Sequence, residues 1–447
     1  MAVRQLYLTL LALTSLLLAA CSSVPAQPVG TAAAMQAGEG GMIVVVVDNP
    51  AEAGVAPPGS TPQGYDGSVS YSVSSSARNA IATLAQKYDL RQVRAWPISQ
   101  LKVYCVVFAL GQPAQRNSLL LVLAQDPLVK SVQPLQSFNT LGSDPDKVGA
   151  KDGAYNDPYF SLQKGFAAID AGGAQRWTRG EGVRVAVIDT GMDTSHPDLR
   201  GRISAQRNFV DGDSGQFQRD RHGTEVAGII AANANNHEGI VGIAPGVTII
   251  ALKACWQPEA GSAAAACNSF TLAEALGVAL DTGVDVINLS LGGPADPLLA
   301  QLVNYALARG VVVVGAVPPS GRLDGFPVGI AGVIAVDNRS HADSDHVLPA
   351  PGHDVLTLMP GGHYDFASGS SLATAHVSGA IALLLALKPH MGSAALATTL
   401  RNSIRQNGDG LALINVCQAV ASLHAGTPCN SVSDTVAQRS TVAPNLP

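Results

Sequence analysis

Three side chains that lie far apart in the chain are of the types that together make an activated nucleophile. Ser371 stands in GSSLATAHVSGAIALLLALK, ahead of an apolar run that carries no charge before Lys388. Such a run reads as a helix buried on all sides with a hydroxyl at its N-terminal mouth. A helix N-terminus presents backbone N–H groups and a partial positive charge, so an oxyanion formed by attack of Ser371 meets a donor already in place. Alone, a serine before an apolar helix is an N-cap. His222, opening HGTEVAGIIAAN, and Asp189, closing VRVAVID, offer more. An imidazole can take the proton from a serine hydroxyl, and a buried carboxylate can hold its tautomer and stabilise the imidazolium.

The elements that must carry these residues alternate in type. VRVAVID, VTIIALKA, VDVINLSL, VVVVGAV and VIAVD are strands of nearly continuous Val, Ile, Leu and Ala, separated by helical stretches after His222, around LAEALGVAL and around LLAQLVNYALARG. Strands apolar on both faces and separated by helices indicate an open, mainly parallel sheet covered on both sides, an α/β fold. Ligands of such sheets sit at the carboxyl ends of the strands, which is where Asp189 falls. Its triplet Asp189-Thr190-Gly191 also occurs in peptidases that share one proton between two aspartates, but the chain holds no second copy. Ahead of this region, MIVVVVD, SARNAIATLAQKYDL, QVRAWPI, LKVYCVVFAL, SLLLVLAQDP and VKSVQPLQSF read β-α-β-β-α-β, a small α+β domain of the split βαβ (ferredoxin-like) kind.

With 447 residues, 47% hydrophobic and 13% charged, the chain can bury a large core and is globular. A net charge of −6 without a Lys/Arg cluster argues against a nucleic-acid partner. Arg4, the apolar stretch Leu6 to Leu18 and the small residues after it have the shape of a secretory signal, and Leu18-Ala19-Ala20-Cys21 resembles the lipobox of bacterial lipoproteins, with Cys21 as the lipidated residue. The expected organisation is a signal at 1–21, a linker at 22–41, the α+β domain at 42–140, a polar Gly- and Asp-rich linker at 141–155, the α/β domain at 156–425 and a tail at 426–447. An oxidising compartment lets the two near pairs, Cys255 with Cys267 and Cys417 with Cys429, close short loops, each worth about 3 kcal/mol in the chain-entropy model. Cys105, in VYCVVFAL, is left as a buried thiol.

VAVIDTGMDTSHPDL, HGTEVAGIIAAN, VINLSLGG, the APG at Ala350 to Gly352 and GSSLATAHVSGA, in that order, resemble the successive motifs of the subtilisin-like serine proteases. The resemblance implies an exported serine endopeptidase acting on polypeptides through an acyl-enzyme, with Asp189 orienting, His222 as general base and then acid, and Ser371 as nucleophile. It makes the α+β domain, followed by NDPYFSLQ, a propeptide that folds and blocks the protease, and a partner of it. Cleavage in the linker would release the protease from a lipid tether in the cell envelope. Ser290, Leu291 and Gly292 would pair with extended substrate, while Gly315, Ala316 and Val317 would line the opposite wall of the primary specificity pocket. With no charge on either wall, an apolar side chain before the scissile bond is expected. No cofactor is required, and the enzyme is expected to be a monomer.

The chain departs from the family where charge develops. The family usually reads AAAGN after the valine strand, its asparagine amide donating to the oxyanion, whereas an ungapped count puts Pro319 there. Proline has neither an amide side chain nor a backbone N–H, and only the hydroxyl of Ser320 stands nearby. Ser370, Leu372 and Ala375 replace the usual threonine, methionine and proline, and Asp337 to Pro349 is shorter than usual. These changes leave a second reading, a degenerate protease fold serving as a binding or scaffold lipoprotein. An esterase would need a wide lipid-lined pocket. Asp193 and Asn236 fall where some relatives hold a structural calcium, but His237 and Glu238 alter that loop and no metal site is assigned. His376 reads as a packed structural histidine.

Overall fold

The computed structural model describes residues 41–50, 73–140, 155–211, 214–258, 265–339, 346–406, 410–424 and 429. The signal with Cys21, all but the last residue of the linker at 22–41, all but the last residue of that at 141–155, and the tail apart from Cys429 lie outside the described residues.

Met42–Asp48 (β1), Ser75–Lys87 (α1), Leu90–Ile98 (β2), Val103–Leu110 (β3), Arg116–Leu123 (α2) and Ser131–Pro134 (β4) form the β-α-β-β-α-β unit, an antiparallel sheet in the order β2-β3-β1-β4. β1 is apolar at successive positions because it serves two cores. Ile43, Val45 and Val47 join Ile81, Leu84 and Leu123 of the unit's own helices, while Met42, Val44 and Val46 point the other way, into a cluster with Phe270, Leu272 and Leu299 of the larger domain. The single last strand expected in VKSVQPLQSF is two strands. β4 stops at Pro134, which has no N–H to extend a ladder. The chain then leaves the sheet as Ser137–Thr140 (β5).

The larger domain runs Arg184–Asp189 (β6), Ile203–Asn208 (β7), Arg221–Ala231 (α3), Thr248–Lys253 (β8), Cys255–Trp256 (β9), Ala266–Asn268 (β10) and Ser269–Asp281 (α4). It continues with Val286–Leu289 (β11), Leu291–Gly292 (β12), Pro297–Ala308 (α5), Val312–Ala316 (β13), Ile334–Asp337 (β14) and Val347–Pro349 (β15). The hairpin Val355–Met359 (β16) and His363–Ala367 (β17) precedes Ser370–Leu387 (α6). Seven of these strands make one parallel sheet, β15-β14-β13-β11-β6-β8-β7. Val185 and Val187 of β6 pack in the core that holds α3 and α6; Ala186 and Ile188 pack in the core that holds α4 and α5. Helices therefore cover both faces. α6 is the one helix among the described residues long and apolar enough to cross a membrane, yet Ser370 through Leu385 are all buried within the fold.

β5 crosses to the larger domain and completes a small antiparallel sheet, β12-β5-β10-β9. Both near-sequence disulfides are formed, Cys255–Cys267 and Cys417–Cys429. Cys105 is buried in β3, and burial pushes its thiol up.

Candidate active site

Asp189 ends the inner strand β6 and is 1% exposed. Its Oδ1 accepts the Thr190 N–H at 2.7 Å, and its two carboxylate oxygens lie 2.8 and 2.9 Å from His222 Nδ1. Two acceptors facing Nδ1 fix the tautomer that carries its proton there and leave Nε2 as the basic nitrogen. His222 is the second residue of α3, which reaches β6 this closely because Gly223 has no side chain. A Cβ there would sit 1.9 Å from the Gly191 carbonyl oxygen. Burial by itself pulls the imidazole's pKa down, but the charge and hydrogen bond of Asp189, with the charge of Glu225, outweigh it, and the net shift is upward. His222 Nε2 is buried and has no hydrogen-bond partner among the described residues.

Ser371 is the second residue of α6 and is fully buried. Its hydroxyl donates to the Ser290 carbonyl at 3.0 Å, and Ser290 Oγ donates to the Ser371 carbonyl at 2.9 Å. Asn288 Nδ2 donates to Ser290 Oγ and Asn288 Oδ1 accepts from Ser378 Oγ, at 2.9 and 2.8 Å. On the other side Ser370 Oγ donates to the Val317 carbonyl at 2.7 Å. The mouth of α6 is thus fastened to the carboxyl ends of β11 and β13. His376 lies one turn further in, its Nδ1 2.8 Å from the Leu372 carbonyl; burial pulls its pKa down to about 4, as suits a neutral structural imidazole.

Sequence reading missed the groups that join these elements. Lys253 is fully buried at the end of β8, directly opposite Asp189. Its Nζ donates to the Thr190 carbonyl at 2.5 Å and pairs with Asp220, the N-cap residue of α3. One cation therefore ties the end of β6 to the start of the helix that bears His222. The signal was a lone lysine closing the apolar run TIIALK. Further along α3, Arg221 and the buried Glu225 pair at 2.5 Å.

A cleft runs past Ser290 between β12 and β10, and β5 occupies it. Thr140 lies opposite Leu291, and Asn139 lies opposite both Gly292 and Ala266. Phe138 is fully buried, against Gly293 and edge-on to Phe326 with ring centroids 5.3 Å apart. Beside it opens a cavity of about 610 Å³ between Gly292 and Gly293 on one side and Pro318, Pro319 and Ser320 on the other. Gly315 and Ala316 are buried within β13 and Val317 is buried just beyond it; none of the three lines this cavity, which the chain reaches at Pro318. The charge that the two walls lack is supplied by a loop: Arg322 and Asp324, paired and exposed, also line the cavity. Ser320 Oγ accepts the Arg322 N–H at 3.4 Å, and the Pro319 carbonyl accepts from Arg339.

Asp193 and Asn236 have separate partners. Asp193 accepts from Ser195 and the Gly361 N–H. Asn236 donates to Asp198 Oδ1, whose Oδ2 takes the Ile240 N–H, and Asp157 takes the N–H of Asn235. These three aspartates already accept from donors on neighbouring segments, a poor fit to a cation that needs several oxygens facing inward, and no step is derived through one.

A family model described as "Subtilase family" matches residues 180–416. The intracellular serine protease of Paenibacillus polymyxa is 34% identical over 294 residues, covering 59% of this chain and 88% of that protein. Thermitase of Thermoactinomyces vulgaris is 37% identical over 241 residues, covering 51% and 84%. Among solved structures, fervidolysin from Fervidobacterium pennivorans, a keratinolytic enzyme related to subtilisin, superposes with a TM-score of 0.64 at 23% identity, over 88% of this chain and 61% of its own. At that identity the likeness is one of fold.

Proposed function

Because the chain belongs to the subtilase family and is a subtilisin-like serine endopeptidase, we propose that Ser371 is its nucleophile, His222 its general base and then acid, and Asp189 the carboxylate that orients and stabilises the imidazolium. The observation that carries this reading is the His222 imidazole held on both oxygens of a buried Asp189, with Nε2 left unpartnered. In the step proposed, the Ser371 hydroxyl turns from the Ser290 carbonyl to Nε2, gives up its proton and attacks the peptide carbonyl carbon. His222 then protonates the departing amine, and water, deprotonated in turn by Nε2, releases the acyl group from Ser371. The Ser371 N–H stands in the first turn of α6, where helix geometry directs donors out of the mouth, and serves the developing oxyanion. Pro319 supplies no second donor, and the rate is reduced accordingly.

On the same reading residues 42–140 are the propeptide, and β5 lies where an extended substrate would bind, between β12 and β10. Export and lipidation at Cys21 belong to this proposal and rest on the sequence alone. Pro319 favours one rival, a fold that binds polypeptide without cutting it. A fluorophosphonate probe separates them: the enzyme labels and S371A does not, while an unlabelled and unprocessed wild-type chain would establish the rival.

A further inference from the structure

The cleft sheet draws β9, β10 and β12 from the larger domain and β5 from the smaller. β10 is three residues long. At its carboxyl end Asn268 holds it to α4, accepting the N–H groups of Phe270 and Thr271. At its other end, the Ala265 N–H goes to Thr140 Oγ1 and the Ala265 carbonyl to the Thr140 N–H, and both partners belong to β5. Once β5 departs, the strand beside β10 is β9, with a ladder of two residue pairs. So short a ladder is marginal in water. Cys255 and Cys267 are the directly opposed pair within it, both fully buried, with Cα atoms 4.2 Å apart and their sulfurs bonded. β9 follows Ala254, whose N–H donates to the Asp189 carbonyl at 2.8 Å, so the bridge ties the wall of the cleft to the central sheet beside Asp189.

We propose that Cys255 and Cys267 are positioning residues for extended substrates: their bridge keeps β10 at pairing distance, so that a polypeptide can take the place of β5 without first ordering the wall. The proposal rests on the reading that this cleft binds substrate as a strand. β10 itself pairs with Ser137, Phe138 and Asn139, whereas Thr140, nearer Ser290, pairs with β12 and on the other side meets only Ala265, ahead of β10. The bridge therefore serves the part of a substrate remote from the bond to be cut. Its loss falls on affinity for long substrates and spares the chemistry of short ones.

The test compares mature wild type and C255A/C267A on an N-acetylated single-residue ester and on a tetrapeptide anilide. In the variant, KM for the tetrapeptide rises about tenfold, roughly the worth of a lost pair of backbone hydrogen bonds. Its kcat stays within about twofold, and kcat/KM for the ester is unchanged. C417A/C429A, which removes the other bridge, leaves both substrates as in wild type. If the double variant does not fold, C255A/C267V, which refills part of the space left by the two buried sulfurs, gives the same comparison. An unchanged KM for the tetrapeptide, or equal falls in kcat on both substrates, overturns the proposal alone. A wild type that cleaves neither substrate overturns it together with the protease reading.

Discussion

Pro319 is exposed and lines the cavity beside Gly292 and Gly293; on the function proposed above it stands where the family carries an oxyanion donor. Removing one such donor costs about a hundred- to a thousandfold in kcat. P319N is therefore expected to raise kcat on a peptide anilide, by up to about a hundredfold, and to leave KM nearly constant, because the new amide acts on charge that exists only in the transition state. Measuring P319A beside it removes the effect of relieving the proline; equal rates in the two variants would mean that the asparagine does not reach the oxyanion. At this scale the sequence was legible where chemistry writes a motif. Asp189, His222 and Ser371 each have an ordinary structural reading when taken alone, and it is their order among successive motifs that singles them out. Lys253, Asp220, Asn288 and Ser378 were not legible, because their role is to join elements, and a residue's partner across a sheet has no fixed distance in sequence. Lys253 alone left a trace, as a charge where burial forbids one unless it is paired.

Among the elements, the parallel strands and the buried helices were readable from period and composition, since burial on both faces leaves a continuous apolar run. β7 was not, because ISAQRN is an edge strand with four exposed residues and no apolar pattern, nor were the short β15 and the hairpin β16–β17, whose burial is decided by neighbours. β5 is the most consequential miss. It was read as the end of β4, and its separation follows from Pro134 and from the unsatisfied edges of β12 and β10 that it fills. Its register carries a prediction. Thr140, the last described residue of β5, stands against Leu291, and the residue before Leu291 is Ser290, whose carbonyl receives the Ser371 hydroxyl. The first cut should fall after Leu141, an apolar residue, and give a new N-terminus at Gly142. Intact-mass and N-terminal analysis of the purified chain reads this directly, with S371A remaining uncut; a mature chain that still carries β5 would refute the register.

At the scale of the whole molecule, the two domains share one apolar cluster, and that explains why MIVVVVD has no polar face although its sheet is antiparallel. Polar contacts surround the shared core. Gln133 donates to Asp296 Oδ2 and accepts the Leu298 N–H, adding to the cap of α5, and the Trp96 ring lies where a side chain at residue 277 would otherwise stand. Arg94 pairs with Glu274 of α4 at 2.9 Å. Burial beneath the smaller domain pushes the Glu274 carboxyl up to about 7, with the charge of Arg94 pulling the other way. When the smaller domain leaves, it takes both the cover and Arg94 with it, and the carboxyl returns toward its ordinary value near 4.5. A carboxyl whose pKa is higher in the complex stabilises the complex when protonated. That contribution is fully present below about pH 4.5 and is lost as pH rises through about 7. On the propeptide reading proposed above, the smaller domain once cleaved is therefore expected to dissociate more readily at pH 8 than at pH 5, its affinity falling by at most about tenfold per pH unit between those limits. E274Q, which cannot ionise, should flatten this dependence while leaving the cut itself intact. Size-exclusion chromatography of the cleaved chain across pH 5 to 8 measures the complex remaining, and a wild-type profile as flat as that of E274Q would exclude Glu274 as the group that sets release.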